Sequence, residues 1–216
     1  MNKLITISWV LILGTIVAML AIPQTREQFG AATRAYPYLL GFAKIAVLGT
    51  MGELLGGMIV AGKWKLAGIS LWQRILVWGF LGLVFTLVFP LFAFGIVGLQ
   101  KNGMLPGLGS KYITAFLQST IMNLLFAFPM MVFHRVTDTL IERGELLKLW
   151  PVVDVYKNIE WGGMFRIVGT AIFWFWIPAH TITFLLPSEF RVISAALLAV
   201  VLGFILGLAK RMAAKK

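Results

Sequence analysis

The chain has 216 residues, 60% of them hydrophobic and only 12% charged, with 17 Phe, 8 Trp and no Cys. A soluble domain carries about 25% charged residues, so this composition excludes an ordinary water-soluble globule and a disordered chain, while the missing Cys excludes a disulfide-stapled module and any thiolate metal site. The net charge of +11 is scattered as short punctuation between long apolar runs, which argues against a nucleic-acid-binding patch and fits the flanks of membrane spans.

A transmembrane helix needs about 20 mainly apolar residues. Six stretches qualify, at 4–22, 38–61, 75–98, 112–134, 167–186 and 192–209. The first follows Lys3 but is too long for a signal-peptide core, and Met19-Leu20-Ala21 is a poor cleavage site, so it reads as a retained span. Turn chemistry separates it from the second span, over Pro23 to Pro37, and the second from the third, over Gly62 to Arg74. The third, fourth and fifth spans each contain a proline, at Pro90, Pro129 and Pro178, and each proline predicts a kink. The one long connection, 135–166, holds five of the eight acidic residues. In it Val136, Leu140, Ile141, Leu146, Leu147 and Trp150 recur near helical spacing, which predicts an amphipathic interfacial helix ended by Pro151. Gly52-x-x-x-Gly56 in the second span and Gly203-x-x-x-Gly207 in the sixth permit close helix packing, within one chain or between chains. The expected fold is therefore one all-α integral membrane domain, a bundle of about six transmembrane helices with an interfacial amphipathic helix.

Lys and Arg in alternating connections set orientation. Thirteen lie on the side of the two termini and the long connector, five lie on the other side, and Lys44 falls inside a span. The bias places both termini in the cytoplasm of a bacterial inner membrane, or in the matrix if the membrane is the mitochondrial inner one. The expected partners are the bilayer and either a second copy or another membrane protein.

Six spans leave no room for a soluble catalytic domain. No nucleotide-binding glycine loop, His-Glu-x-x-His or Gly-x-Ser-x-Gly is present, and the two His, His134 and His180, lack a third ligand at metal-binding spacing. The reading is of a non-enzyme without cofactor or metal. Function then falls to polar groups at membrane depth, where a central charge costs about 2.5–3.5 kcal/mol. Lys44, Gln118 and His180 each lie about 9 Å from the outer ends of their spans, whereas Glu53 and Asn123 lie about 12 and 16 Å from the inner ends. These depths suggest a polar axis through the second, fourth and fifth spans. The alternative is a set of separate devices: a snorkelling Lys44, interhelical bonds from Gln118 and Asn123, and a His180 that caps a carbonyl freed by Pro178.

One family shares several of these landmarks. Tyr36-Pro37 followed by Leu48-Gly49-Thr50-Met51-Gly52-Glu53, the stretch Arg74 to Gly82, and then Trp176-Ile177-Pro178, Phe184, Pro187 and Arg191 together resemble the Mpv-type, or twenty-two-kilodalton peroxisomal membrane protein, family. The resemblance covers about 170 residues from the second span onward. Ile177 interrupts the family's Trp-Pro pair, and Gly57 and Thr181 stand where the family has Gln, so its Gln and Asn roles are not carried over. The resemblance implies a small helical protein associated with channel-like solute permeation, here a bacterial relative with an extra first span. With the outward Lys44, His180 and Arg191, anions are the expected solutes. Competing expectations are a substrate-capture subunit of a multi-subunit vitamin importer and a structural or assembly protein.

Overall fold

In the computed structural model, residues 2–214 are described, except for the side chain of Val168. Lys215 and Lys216, two of the thirteen basic residues counted above, lie outside the described residues. The chain forms α1 (Asn2–Ala21), α2 (Pro23–Ala35), α3 (Pro37–Ala61), α4 (Leu71–Lys101), α5 (Lys111–Glu142), α6 (Val152–Lys157), α7 (Trp161–Leu185) and α8 (Ser188–Ala213), with no strand among the described residues. Six of these, α1, α3, α4, α5, α7 and α8, are long and apolar enough to cross a membrane. The protein is an all-α membrane bundle.

Two connections differ from expectation. The stretch Pro23 to Pro37, read as a turn, contains the 13-residue helix α2. Proline is tolerated at the first helical position because its missing N–H has no partner to lose, so Pro23 and Pro37 start helices here and only Ile22 and Tyr36 break the chain. The Thr25 hydroxyl donates to the carbonyls of Met19 and Ile22, at 2.7 and 3.1 Å, and fixes the elbow between α1 and α2. In the long connector, no helix runs from Val136 to Trp150. Val136, Leu140 and Ile141 extend α5, which ends at Glu142 because Gly144 adopts φ +68°. The N–H groups of Gly144 and Glu145 bond the carbonyls of Ile141 and Leu140, a Schellman stop that needs glycine at its left-handed position. Pro151 then begins the short α6 instead of ending a helix. Val155 and Ile159 pack on Val136 and Leu140 under the bundle, while Leu147, Leu149 and Val153 stay exposed.

Proline shapes α5 and α7 from within. A π-helical turn occupies Asn123–Ala127, just before Pro129, and another occupies Ile172–Trp176, just before Pro178. A proline ring clashes with the carbonyl four residues earlier, here Leu125 and Trp174, and the wider turn moves that carbonyl aside. A third π turn at Phe165–Gly169 has no proline behind it. By contrast α4 stays α-helical through Pro90.

Helix α3 is the axis of the bundle. It runs parallel to α8, with Gly52 against Ala199 and Val200, Gly56 against Gly203, and Gly207 against Gly56 and Ile59. A Cβ on Gly203 would lie 2.3 Å from the Gly52 carbonyl oxygen, so the backbones touch where a side chain would stand. On its other side α3 runs antiparallel to α4, where a Cβ on Gly82 would lie 2.3 Å from the Gly41 oxygen. In lipid such packing takes the place of the hydrophobic drive, since the surrounding acyl chains are as apolar as the side chains. α5 and α7 pair beside α4, through contacts such as Ser119 Oγ donating to the Ile177 carbonyl at 2.7 Å. α1 has no buried residue and is tied on by Trp9, whose indole donates to the Met51 carbonyl at 3.2 Å, and by Trp64, whose indole donates to Thr6 at 2.8 Å.

Candidate functional site

The charge in α3 finds its partners on two other helices. Glu53 follows Gly52, at the tight α3–α8 contact, and its carboxylate turns toward α4, where Arg74 and Trp78 stand four residues apart on one face. Arg74 bonds Oε1 of Glu53, and the indole of Trp78 donates to Oε2 at 2.8 Å. Gly49, one turn before Glu53, makes room for that indole: a Cβ there would lie 2.6 Å from the Trp78 ring. From α5, Asp138 accepts from the same Arg74 nitrogen at 3.2 Å, and His134, one turn earlier, holds Nδ1 3.3 Å from the other Asp138 oxygen. The His134 ring rests 4.4 Å from the Trp78 ring, centroid to centroid. Arg74 Nε donates to the Ile69 carbonyl at 3.0 Å and anchors the network to the α3–α4 loop. One guanidinium, two carboxylates, an imidazole and an indole thus lock α3, α4 and α5 together near the end of the bundle that carries the termini.

Glu53, His134 and Asp138 bring three potential metal-ligating atoms within 4.8 Å of one another, a grouping that sequence spacing did not suggest. Arg74 bonds both carboxylates, so a protein cation already occupies the place between them that a metal ion would take.

Toward the middle of the bundle, Trp78 also lines an interior cavity of about 70 Å³. Its wall includes Ile45, Gly49, Met122 and Ala195, and its polar groups are Asn123 and His180. Asn123 belongs to the π turn of α5, donates to the Ser119 carbonyl at 2.8 Å, and places its amide 3.1 Å from His180 Nδ1. The His180 ring is stacked on Trp176 at 4.9 Å and meets Phe89 edge-on at 5.6 Å. Both π turns therefore contribute to the cavity, through Asn123, Phe126 and Ala127 of one and Trp176 of the other.

Of the residues expected on one polar axis, Asn123 and His180 meet directly, and Glu53 reaches their cavity through Trp78. Lys44 and Gln118, also expected on that axis, and Arg191, expected as an outward contact for anions, stand apart. Lys44 points from α3 toward α2, where it donates to the Thr33 hydroxyl at 2.8 Å and lies over the Phe29 ring; it is 6% exposed and absent from the cavity wall. Gln118 donates to the Ala93 carbonyl of α4 at 3.0 Å. Arg191 donates to the carbonyls of Leu186 and Phe184 at 3.1 and 3.2 Å and closes the C-terminal end of α7, the usual place for a cation there. Sequence reasoning passed over Arg74, Trp78, His134 and Asp138. The available signals were the i,i+4 pairs Arg74/Trp78 and His134/Asp138, each on a helix that starts or ends one or more turns beyond its apolar run.

Comparison of the chain with family models, with curated proteins and with solved structures gives no match.

Proposed function

We propose that this membrane protein is a path for small solutes, closed at the terminal end of the bundle by the Glu53–Arg74–Asp138–His134 network. One observation carries the reading: Trp78 is at once a wall of the interior cavity and a hydrogen-bond donor to Glu53. A single side chain thus couples the charged network to an interior space that contains polar groups from facing helices. A cavity of about 70 Å³ has room for about two waters at some 30 Å³ each, so passage requires Trp78 to move. The π turns that border the cavity supply backbone able to shift register, and such turns recur at functional sites. Membership of the Mpv-type family and residence in a bacterial inner membrane, termini inside, belong to the same proposal. So does a role without enzymatic chemistry, since the cavity brings no nucleophile together with a base.

The glycine faces that favoured an assembly role are occupied within the chain, Gly52 and Gly56 against Gly203 and Gly207, which weighs toward the path. The test is release of a small osmolyte from liposomes that contain the purified protein. The wild type is expected to leak slowly, and Trp78→Ala, which removes the plug, several-fold faster. Release no greater than from empty liposomes for both proteins would end the proposal.

A further inference from the structure

A second concavity lies on the outside of the bundle, at the opposite end from the charged network. It is an open groove of about 620 Å³ between the α1–α2 elbow and α8, walled by Leu20, Phe190, Ile193, Leu197, Leu198 and Val201, with Arg26 at its mouth. Its volume falls within the range of about 300–1,000 Å³ typical of small-molecule sites. The groove exists because α1 stands off the bundle and the elbow at Ile22 carries α2 across the end of α8. Its floor is fixed, since Phe190 stacks on Phe29 at 6.3 Å with a 24° interplanar angle. The groove hydroxyl of Ser194 is already bonded to Thr183 at 3.0 Å.

Arg26 differs from the three cations that line the same end beside α2 and α8. Arg34 pairs with Glu189, Arg191 bonds backbone carbonyls and Lys44 bonds Thr33. Among the described residues the Arg26 side chain has no hydrogen-bond or ion-pair partner. Its neighbour Glu27 lies about 100° further round the helix. The mouth of an apolar groove therefore presents one unmatched positive charge.

Length decides the occupant. From Pro187 to Val201 the groove follows α8 for about 21 Å at 1.5 Å per residue, which matches one leaflet with its headgroup layer, half of a bilayer about 40–45 Å thick. A second transmembrane helix would need the whole thickness, yet the α8 residues that wall this groove end at Val201 while the helix continues to Ala213. We infer that the groove is a binding site for one anionic glycerophospholipid of the leaflet opposite the termini, its acyl chain against α8 and its phosphate on Arg26. This site is independent of whether the bundle passes solute.

Native mass spectrometry of the full chain in detergent, with equal amounts of phosphatidylglycerol and phosphatidylcholine, tests it. The wild type is expected to retain phosphatidylglycerol about tenfold over phosphatidylcholine, the scale of one charge-assisted contact. Arg26→Gln should erase the preference, and Leu198→Trp, which fills the apolar wall, should lower retention of both lipids. Equal retention by the wild type, or an unchanged preference in Arg26→Gln, would overturn the inference. So would a stable dimer crosslinked through Leu198, which would put a second copy in the groove.

Discussion

Arg74 joins three polar partners, Glu53, Asp138 and the Ile69 carbonyl. Removing one member of a buried ion pair costs about 3–5 kcal/mol because the partner keeps its charge without compensation. The Glu53 and Asp138 side chains retain 25% and 18% exposure, which places Arg74→Met toward the lower end of that range. The thermal unfolding midpoint in detergent should therefore fall by several degrees in Arg74→Met. It should recover much of the loss when Glu53→Gln and Asp138→Asn are added, because the neutral set leaves no bare carboxylate. An unchanged midpoint in Arg74→Met alone would mean that the network does not form. Glu53 was legible in the sequence because a lone acid in an apolar run has to be explained. Arg74, His134 and Asp138 were not, because each lies where an apolar run fades and reads as a flank. One extra helical turn at the start of α4 turns Arg74 from a loop cation into the partner of Glu53, and helix ends are uncertain by that much.

At the scale of elements, the glycines of α3 and α8 divide into those that touch and those that do not. A Cβ on Gly203 would lie 2.3 Å from the Gly52 oxygen, one on Gly56 3.1 Å from the Gly203 oxygen, and one on Gly57 would meet nothing within 4 Å. Gly203→Ala should thus force α3 and α8 apart at about 1–3 kcal/mol, the usual cost of overpacking, and Gly56→Ala should cost less. Gly57→Ala should be neutral or gain up to about 1 kcal/mol from helix propensity. Unfolding midpoints of the three variants should follow that order, and equal losses at Gly203 and Gly57 would contradict the packing. The GxxxG spacing made these faces visible in advance, as the long apolar runs made the six spans visible. Hydropathy is silent on α2, whose 13 residues are polar enough to pass for a turn, and on the stop at Gly144, which depends on one backbone angle. It is equally silent on the π turns. Their side chains fit an α-helical pattern, and only for the two followed by Pro129 and Pro178 does the sequence hint at a wider backbone.

For the molecule as a whole, the parallel pairing of α3 with α8 and the antiparallel pairing of α3 with α4 fix which ends lie together. Thr6 meets Trp64, and Gly207 meets Gly56 and Ile59, so the start of α1, the α3–α4 loop and the last turns of α8 share one face. The Glu53–Arg74 network lies toward this face, and Arg26 and the lipid groove lie toward the other. Basic residues follow the same division. Without Lys215 and Lys216 the count is still eleven on the terminal face against five opposite, and the positive-inside rule is the ground on which the proposed orientation puts that face in the cytoplasm. Because the chain has no Cys, single cysteines report orientation without background. Met104, 71% exposed between α4 and α5, and Leu149, 97% exposed in the connector, are suited to the purpose. Met104 also avoids Gly103, whose φ of +71° would strain a substituted side chain. In intact cells a membrane-impermeant thiol reagent should label Met104→Cys and leave Leu149→Cys unlabelled until the membrane is opened. The reverse pattern would place the charged network at the outer surface, and the closed end of the proposed path would then face the environment.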